Sequence, residues 1–360
     1  MHSVRTTRLQ LMPSVYFFGA PKAGTTSLLD WVMRMPRTFC ILTDGVRARE
    51  SNLWCHLANP NPDAALLRWV QMVLWSHLNA ACASGSLGVD KSPGYMAVPA
   101  VPSLMRCVLG ESLMQRNRFI AVLREPVARL LSQYNHMCVS HSFCAGFGGS
   151  AADFGRWVDQ GLNNVRQRCP ALFLQSPLLC KEHIGICEEK LVEAAWRAWR
   201  SCHTLYDDWG RLWADPAAAL SVGLYATHLF NWLRFVRRSQ VLIISSDALF
   251  GSSNAAQPLL LSEIVSFSTR GLNVSANETV RALPHSNDHA SNEKHRHQEP
   301  AAVAAASALT SIKCETKRAL DGFYRPFEPM IATIVKRSEA PAEQLRVRWH
   351  GGWREFVKCV

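Results

Sequence analysis

The spacing of apolar positions changes along the chain, and each change marks an element. Val15–Phe18 is an unbroken β-branched and aromatic run, and Phe119–Leu123 and Gln240–Ser245 have the same character, which predicts buried strands. Residues 25–35, 64–78, 101–114, 188–213 and 223–235 instead carry apolar side chains at helical spacing, and Pro36 helps to end the first of these stretches. Gly88–Tyr95 reads as a strand end entering a turn. From Cys138 to about Cys187 the pattern is irregular, and residues 251–300 read as a polar loop region.

Two of the transitions run from strand through turn into helix. In Val15–Leu29, VYFFGAPKAGTTSLL, the chain bends between Gly19 and Gly24, and Thr25, Thr26 and Ser27 then offer hydroxyls where backbone N–H groups have no intrahelical partner. Those donors, the positive end of the helix and the Lys22 ammonium favour an anion. An ordinary strand–turn–helix with a solvated lysine has the same outline. The nucleotide-kinase pattern GxxxxGK[ST] is absent, because Lys22 precedes Gly24. In Phe119–Tyr134, FIAVLREPVARLLSQY, Pro126 suits a first helical turn, and the Arg124 fork and the Ser132 hydroxyl can together bind a phosphate.

At 360 residues the chain fits one large α/β domain with insertions, or two domains. Lys and Arg exceed Asp and Glu by 11, which favours polyanions such as anionic glycans, nucleic acid or a phosphorylated cofactor. No nucleic-acid-binding signature accompanies the charge, so a nucleic-acid partner is not expected. Neither a run of strongly apolar residues long enough to span a membrane nor the apolar core of a signal peptide is evident, so any membrane association requires an anchor outside this chain. Cys138, Cys144, Cys169, Cys180, Cys187 and Cys202 lie in polar, turn-rich sequence, which reads as disulfides of undetermined pairing. No metal site is expected, since no CxxC pair or HxxxH companion occurs. Two glycosylation acceptor patterns begin at Asn273 and Asn277.

PKAGTTSL resembles the 5′-phosphosulfate loop of sulfotransferases that use 3′-phosphoadenosine 5′-phosphosulfate, and the segment holding Arg124 and Ser132 resembles their 3′-phosphate segment. The two stand about 100 residues apart in the family's order. Between them, Arg49-Glu50-Ser51-Asn52-Leu53-Trp54 resembles the K-E-x-H/N-F-F segment of the glycan-directed branch. Asp90-Lys91-Ser92-Pro93-Gly94-Tyr95 resembles E-K-[ST]-P-x-Y of heparan-type members, with Asp90 in place of glutamate. Gly223–Phe235 resembles the G-x-Y-x-x-H-L-x-x-W-L-x-x-F helix, in which His228 and Trp232 read as packing and orienting groups. Asn292–His297 resembles the K-G-R-x-H loop, with His295 replacing the glycine, and Ile312–Val335 resembles the C-terminal helix of the family.

The resemblance implies a three-layer α/β sandwich with a central parallel sheet, a P-loop-like phosphate loop and a Cys-rich insertion at about 138–187. On this reading residues 1–13 are an N-terminal tail, 14–335 the sulfotransferase domain and 336–360 a basic tail. It implies sulfonate transfer from 3′-phosphoadenosine 5′-phosphosulfate (PAPS), without a metal, to a hydroxyl or amine of a glycosaminoglycan-like polysaccharide. Glu50 is the implied base, with Lys22 and Lys91 assisting. Lys22, Ala23, Gly24, Thr25, Thr26, Ser27, Arg124, Ser132, Lys294 and Arg296 are the implied nucleotide contacts. The Golgi lumen is the expected compartment, and the cytoplasm if no anchor exists. A sulfotransferase for small molecules or protein tyrosine, and a non-catalytic glycan- or nucleotide-binding relative, are the alternatives.

Overall fold

The computed structural model describes residues 13–32, 34–35, 39–41, 50–58, 86–141, 143–144, 146–174, 184–200, 215–250, 256–270 and 312–336. These residues form two compact units. The first draws on Met1–Leu123 and Leu233–Leu283, the second on Arg124–Trp232 and Pro284–Val360.

The first unit is built on a five-stranded, all-parallel sheet of β1 (Val15–Gly19), β2 (Phe39–Ile41), β3 (Leu87–Lys91), β4 (Arg118–Leu123) and β5 (Val241–Ser245), in the order β2-β3-β1-β4-β5. This is the parallel α/β architecture expected from the sequence. β1 is central and every one of its residues is buried, which is why it reads as a continuous apolar run rather than an alternating one. The parallel register pairs Tyr16 with Asp90, Phe17 with Lys91 and Gly19 with Ala121, so Gly19, Lys91 and Leu123 share one end of the sheet. Loops at the carboxyl ends of parallel strands are where such sheets bind ligands.

Helices α1 (Thr25–Val32), α2 (Leu53–Leu57) and α3 (Val101–Arg116) follow β1, β2 and the turn after β3. α1 buries Leu28, Leu29, Trp31 and Val32, the apolar stripe that its spacing predicts. α3 bends at Gly110, whose φ of 74° is open to glycine without a Cβ penalty.

In the second unit α4 (Pro126–Tyr134) starts as predicted. Both Glu125 carboxylate oxygens accept from the helix start, from Val127 N at 2.8 Å and Ala128 N at 2.5 Å, with Pro126 in the first turn. α5 (Ala151–Arg168) lies inside the stretch whose sequence reads as irregular. Ser150 caps it, and it buries Phe154, Trp157, Val158, Leu162 and Val165. The glycines of CAGFGGS obscure a helical period that begins just beyond them. Cys138 and Cys144 form a disulfide, and Cys169 is also disulfide-bonded; Cys180 and Cys202 fall outside the described residues.

α6 (Ile184–Arg200), α7 (Pro216–Ser221) and α8 (Tyr225–Leu233) follow; α6 begins four residues before the predicted helical stretch 188–213 and overlaps it, and α8 lies inside the predicted 223–235. α9 (Ala256–Thr269), in the first unit, corrects the reading of 251–300 as loop. Its buried Leu261, Ile264 and Val265 recur at helical spacing, but the polar sequence downstream dilutes that signal. The described chain ends with α10 (Cys314–Tyr324) and α11 (Glu328–Lys336). No helix among the described residues is long and apolar enough to cross a membrane.

Candidate functional site

The loop after β1 is held to the sheet by its own backbone. Ala20 N donates to Val122 O at 2.7 Å, Ala23 N to Ala20 O at 3.2 Å, and Leu28 N reaches back to Gly24 O at 3.2 Å as α1 begins. Two residues of the bend occupy the left-handed region, Lys22 at φ 64° and Gly24 at φ 101°. That conformation strains a lysine by about 1–2 kcal/mol, and strained non-glycine residues of this kind concentrate at ligand-binding loops. At Gly24 the demand is twofold, because a Cβ there would also lie 2.2 Å from the Phe250 ring. Lys22 is half-buried, Ala23 and Thr25 are buried, and Thr26 and Ser27 are exposed in the first turn of α1, where backbone N–H groups lack intrahelical acceptors.

Lys91 comes to this loop from β3. Its ammonium donates to Thr26 Oγ1 at 3.1 Å and forms an ion pair with Glu50. Three residues singled out from three separate stretches of sequence are thereby brought into one cluster. The Lys91 side chain is 2% exposed and that of Glu50 29%, so the ammonium is enclosed while the carboxylate keeps a solvent-facing side. Removing one partner of an enclosed ion pair leaves the other without compensation.

Beneath the pair lies a network that sequence reasoning missed. Asp90 is 1% exposed and accepts from Ser51 Oγ at 2.9 Å, Ser92 Oγ at 2.7 Å and Tyr95 OH at 2.8 Å. Burial raises its pKa from 3.8 to about 6 even though the three hydroxyls pull it down. Desolvation also raises Tyr95, Tyr16 and the buried thiol of Cys55 well above their ordinary values, with the negative charge of Asp90 adding to each. Sequence proximity of Asp90 to Lys91, and of Ser51 to Glu50, was the available signal.

Arg124 and Ser132 belong to the second unit and are both half-buried. The Arg124 backbone is pinned by Tyr225, whose hydroxyl donates to Arg124 O at 2.9 Å. Arg129, on the same helix as Ser132, is wholly buried, and its guanidinium donates to Gln133 Oε1 and Ala219 O, both at 2.5 Å; its partners are those of a packing group. His228 is also wholly buried, with Nε2 donating to Ser221 O at 2.9 Å and its ring edge-on to Trp199. Desolvation lowers its pKa to about 4 and keeps it neutral.

Lys294 and Arg296, the Asn273 and Asn277 acceptor patterns, and the helix expected at 64–78 lie outside the described residues. Among the described residues no group of three or more His, Cys, Asp or Glu side chains is arranged to hold a metal ion.

The chain is similar to the crystal structure of a sulfotransferase from Alicyclobacillus acidocaldarius, at 16% sequence identity and a TM-score of 0.47, over 93% of this chain and 99% of that one. No protein-family model matches the chain, and no curated protein does.

Proposed function

We propose that this chain is a sulfotransferase that moves a sulfonate from 3′-phosphoadenosine 5′-phosphosulfate to a hydroxyl or amine of a carbohydrate, with a glycosaminoglycan-like polysaccharide as acceptor. The observation that carries the reading is the cluster of Thr26, Lys91 and Glu50 at the carboxyl ends of β1 and β3, beside a loop shaped for phosphate. The residues fit the donor in kind. The first turn of α1 offers backbone N–H groups and the exposed Thr26 and Ser27 hydroxyls, Gly24 leaves room for close approach, and Lys22 adds a cation.

When bound, the donor supplies an activated sulfonate on a phosphate leaving group. Glu50 takes the proton of the acceptor hydroxyl or amine through its solvent-facing side as the acceptor heteroatom bonds to sulfur. Lys91, enclosed beside it, steadies negative charge spreading over the transferring group. Lys22 does the same for the bridging and departing oxygens, and Ala23 to Ser27 hold the 5′-phosphate. For Arg124 and Ser132 in the second unit, and for Lys294 and Arg296, the assignment rests on sequence resemblance: the first two hold the 3′-phosphate and the last two cover the nucleotide.

The Golgi lumen is the proposed compartment; the Cys138–Cys144 disulfide supports an oxidising environment. The test is calorimetric binding of 3′-phosphoadenosine 5′-phosphate, followed by incorporation of radiolabelled sulfonate into sugar chains, tyrosine peptides and phenols offered in parallel. Nucleotide binding with labelled sugar chains is the expected result. Labelling of peptides or phenols alone replaces the acceptor class, and absence of nucleotide binding overturns the reading.

A further inference from the structure

The hydroxyls around Asp90 converge on its carboxylate. Ser51, Ser92 and Tyr95 each lie within donating distance of it, and Ser51 Oγ is also 3.1 Å from Ser92 Oγ and 2.8 Å from Tyr95 OH, contacts in which either oxygen can donate. The same oxygens also accept from three consecutive backbone donors. Asn52 N bonds Ser92 Oγ at 2.9 Å, Leu53 N bonds Ser51 Oγ at 3.3 Å, and Trp54 N approaches Tyr95 OH at 3.4 Å. These donors open α2, whose first N–H groups have no intrahelical acceptors. They follow Glu50 with only Ser51 between, in a segment whose Asn52, at φ 49°, is also left-handed.

We infer that Asp90 is a positioning residue for sulfonate transfer: by orienting three hydroxyls it fixes the backbone at Ser51–Trp54, and so holds Glu50 against Lys91. The inference rests on the function proposed above for its kinetic consequence, but its structural half stands alone. Asp90 is bonded to Lys91 in the chain and bridged to the residue after Glu50 by one hydroxyl, so both members of the ion pair are referenced to the same buried carboxylate. An ionised carboxylate is an acceptor only and can receive all three protons. An asparagine has one acceptor oxygen and a donating amide, so a hydroxyl facing the amide must turn its own proton elsewhere and release a backbone N–H. The segment then loosens without any change in the residues that react.

Asp90→Asn, Glu50→Gln and the double variant are compared for transfer kinetics, for affinity toward 3′-phosphoadenosine 5′-phosphate, and for acylation of Lys91 by an acetyl N-hydroxysuccinimide ester read by mass spectrometry. Asp90→Asn is expected to lower kcat by about 10²-fold, with donor KM nearly unchanged. Nucleotide affinity should stay within about threefold of the parent. Adding Asp90→Asn to Glu50→Gln should cost little further, because the carboxylate acts through the base. Lys91 acylation should rise about tenfold as its enclosure opens, while the exposed Lys313 labels as before. Multiplicative kinetic losses, or unchanged Lys91 labelling in a folded variant, overturn the inference. Should the parent protein transfer no sulfonate to any acceptor, the functional reading fails by itself, and Lys91 labelling decides the positioning role. If Asp90→Asn does not fold, Ser51→Ala and Ser92→Ala each remove one hydroxyl and are read by the same three measurements.

Discussion

Lys91 and Glu50 form an ion pair in which the cation is enclosed and the anion is partly open. The asymmetry suits the roles proposed for them, since a proton acceptor must be reachable by substrate whereas a charge stabiliser works best where water is excluded. Glu50→Gln keeps the shape of the side chain but removes its basicity. It is expected to reduce transfer by about 10²–10⁴-fold while 3′-phosphoadenosine 5′-phosphate binds nearly as well as to the parent. Parallel loss of both, measured by rate assay and calorimetry, would assign Glu50 a structural role.

Gly24 is constrained by conformation and by space, and the two constraints can be separated. Gly24→Ala places a Cβ on a residue at φ 101° and within 2.2 Å of Phe250. A destabilisation of about 1–3 kcal/mol is expected, together with weaker nucleotide binding. Adding Phe250→Ala should return the share due to the contact and leave the share due to the dihedral. Thermal melts of the single and double variants measure both.

Acid should act on the two units in opposite directions. His228 has a pKa lowered from 6.5 to about 4, so between those values the unfolded chain binds the extra proton, and the stability of the second unit falls as pH drops through that window. Asp90 has a pKa raised from 3.8 to about 6, so here the folded state binds the extra proton, and its contribution to the first unit is lost as pH rises from 3.8 to 6. Each displacement corresponds to about 3 kcal/mol at full extent. Hydrogen exchange at pH 4.5 and 6.5, corrected for intrinsic rates, should show this contrast. His228→Gln should flatten the response of the second unit, and Asp90→Asn that of the first.

The Cys138–Cys144 disulfide closes a loop of 6 residues in sequence separation. By chain entropy it contributes about 2 kcal/mol. Replacing both cysteines with serine should lower the denaturation midpoint of the second unit accordingly. An unchanged midpoint in urea would show that the native loop is held by packing instead.

Much of the architecture was legible because its signals are local. The run Val15–Phe18, Pro126 at the first turn of its helix, and the spacing of Leu28, Leu29 and Val32 each lie within one turn or one strand of the element they specify. α5 and α9 were obscured for an equally local reason, since glycine-rich or polar neighbours diluted a period that each helix carries internally. At the candidate site the individual residues Thr26, Glu50 and Lys91 were readable, but their meeting was not. Lys91 reaches Thr26 across 65 positions and Glu50 across 41. The Asp90 network was illegible for the same reason, because a serine and a tyrosine in turn-rich sequence announce no common acceptor.

The segment bearing Glu50 is fastened to β3 and to the turn that follows it through hydroxyl groups of side chains. Each fastening can therefore be undone by deleting a single oxygen, as serine to alanine or tyrosine to phenylalanine, with the strands left untouched. The placement of Glu50 is therefore set by single oxygens, and evolution or an engineer can alter it one atom at a time without first dismantling the scaffold.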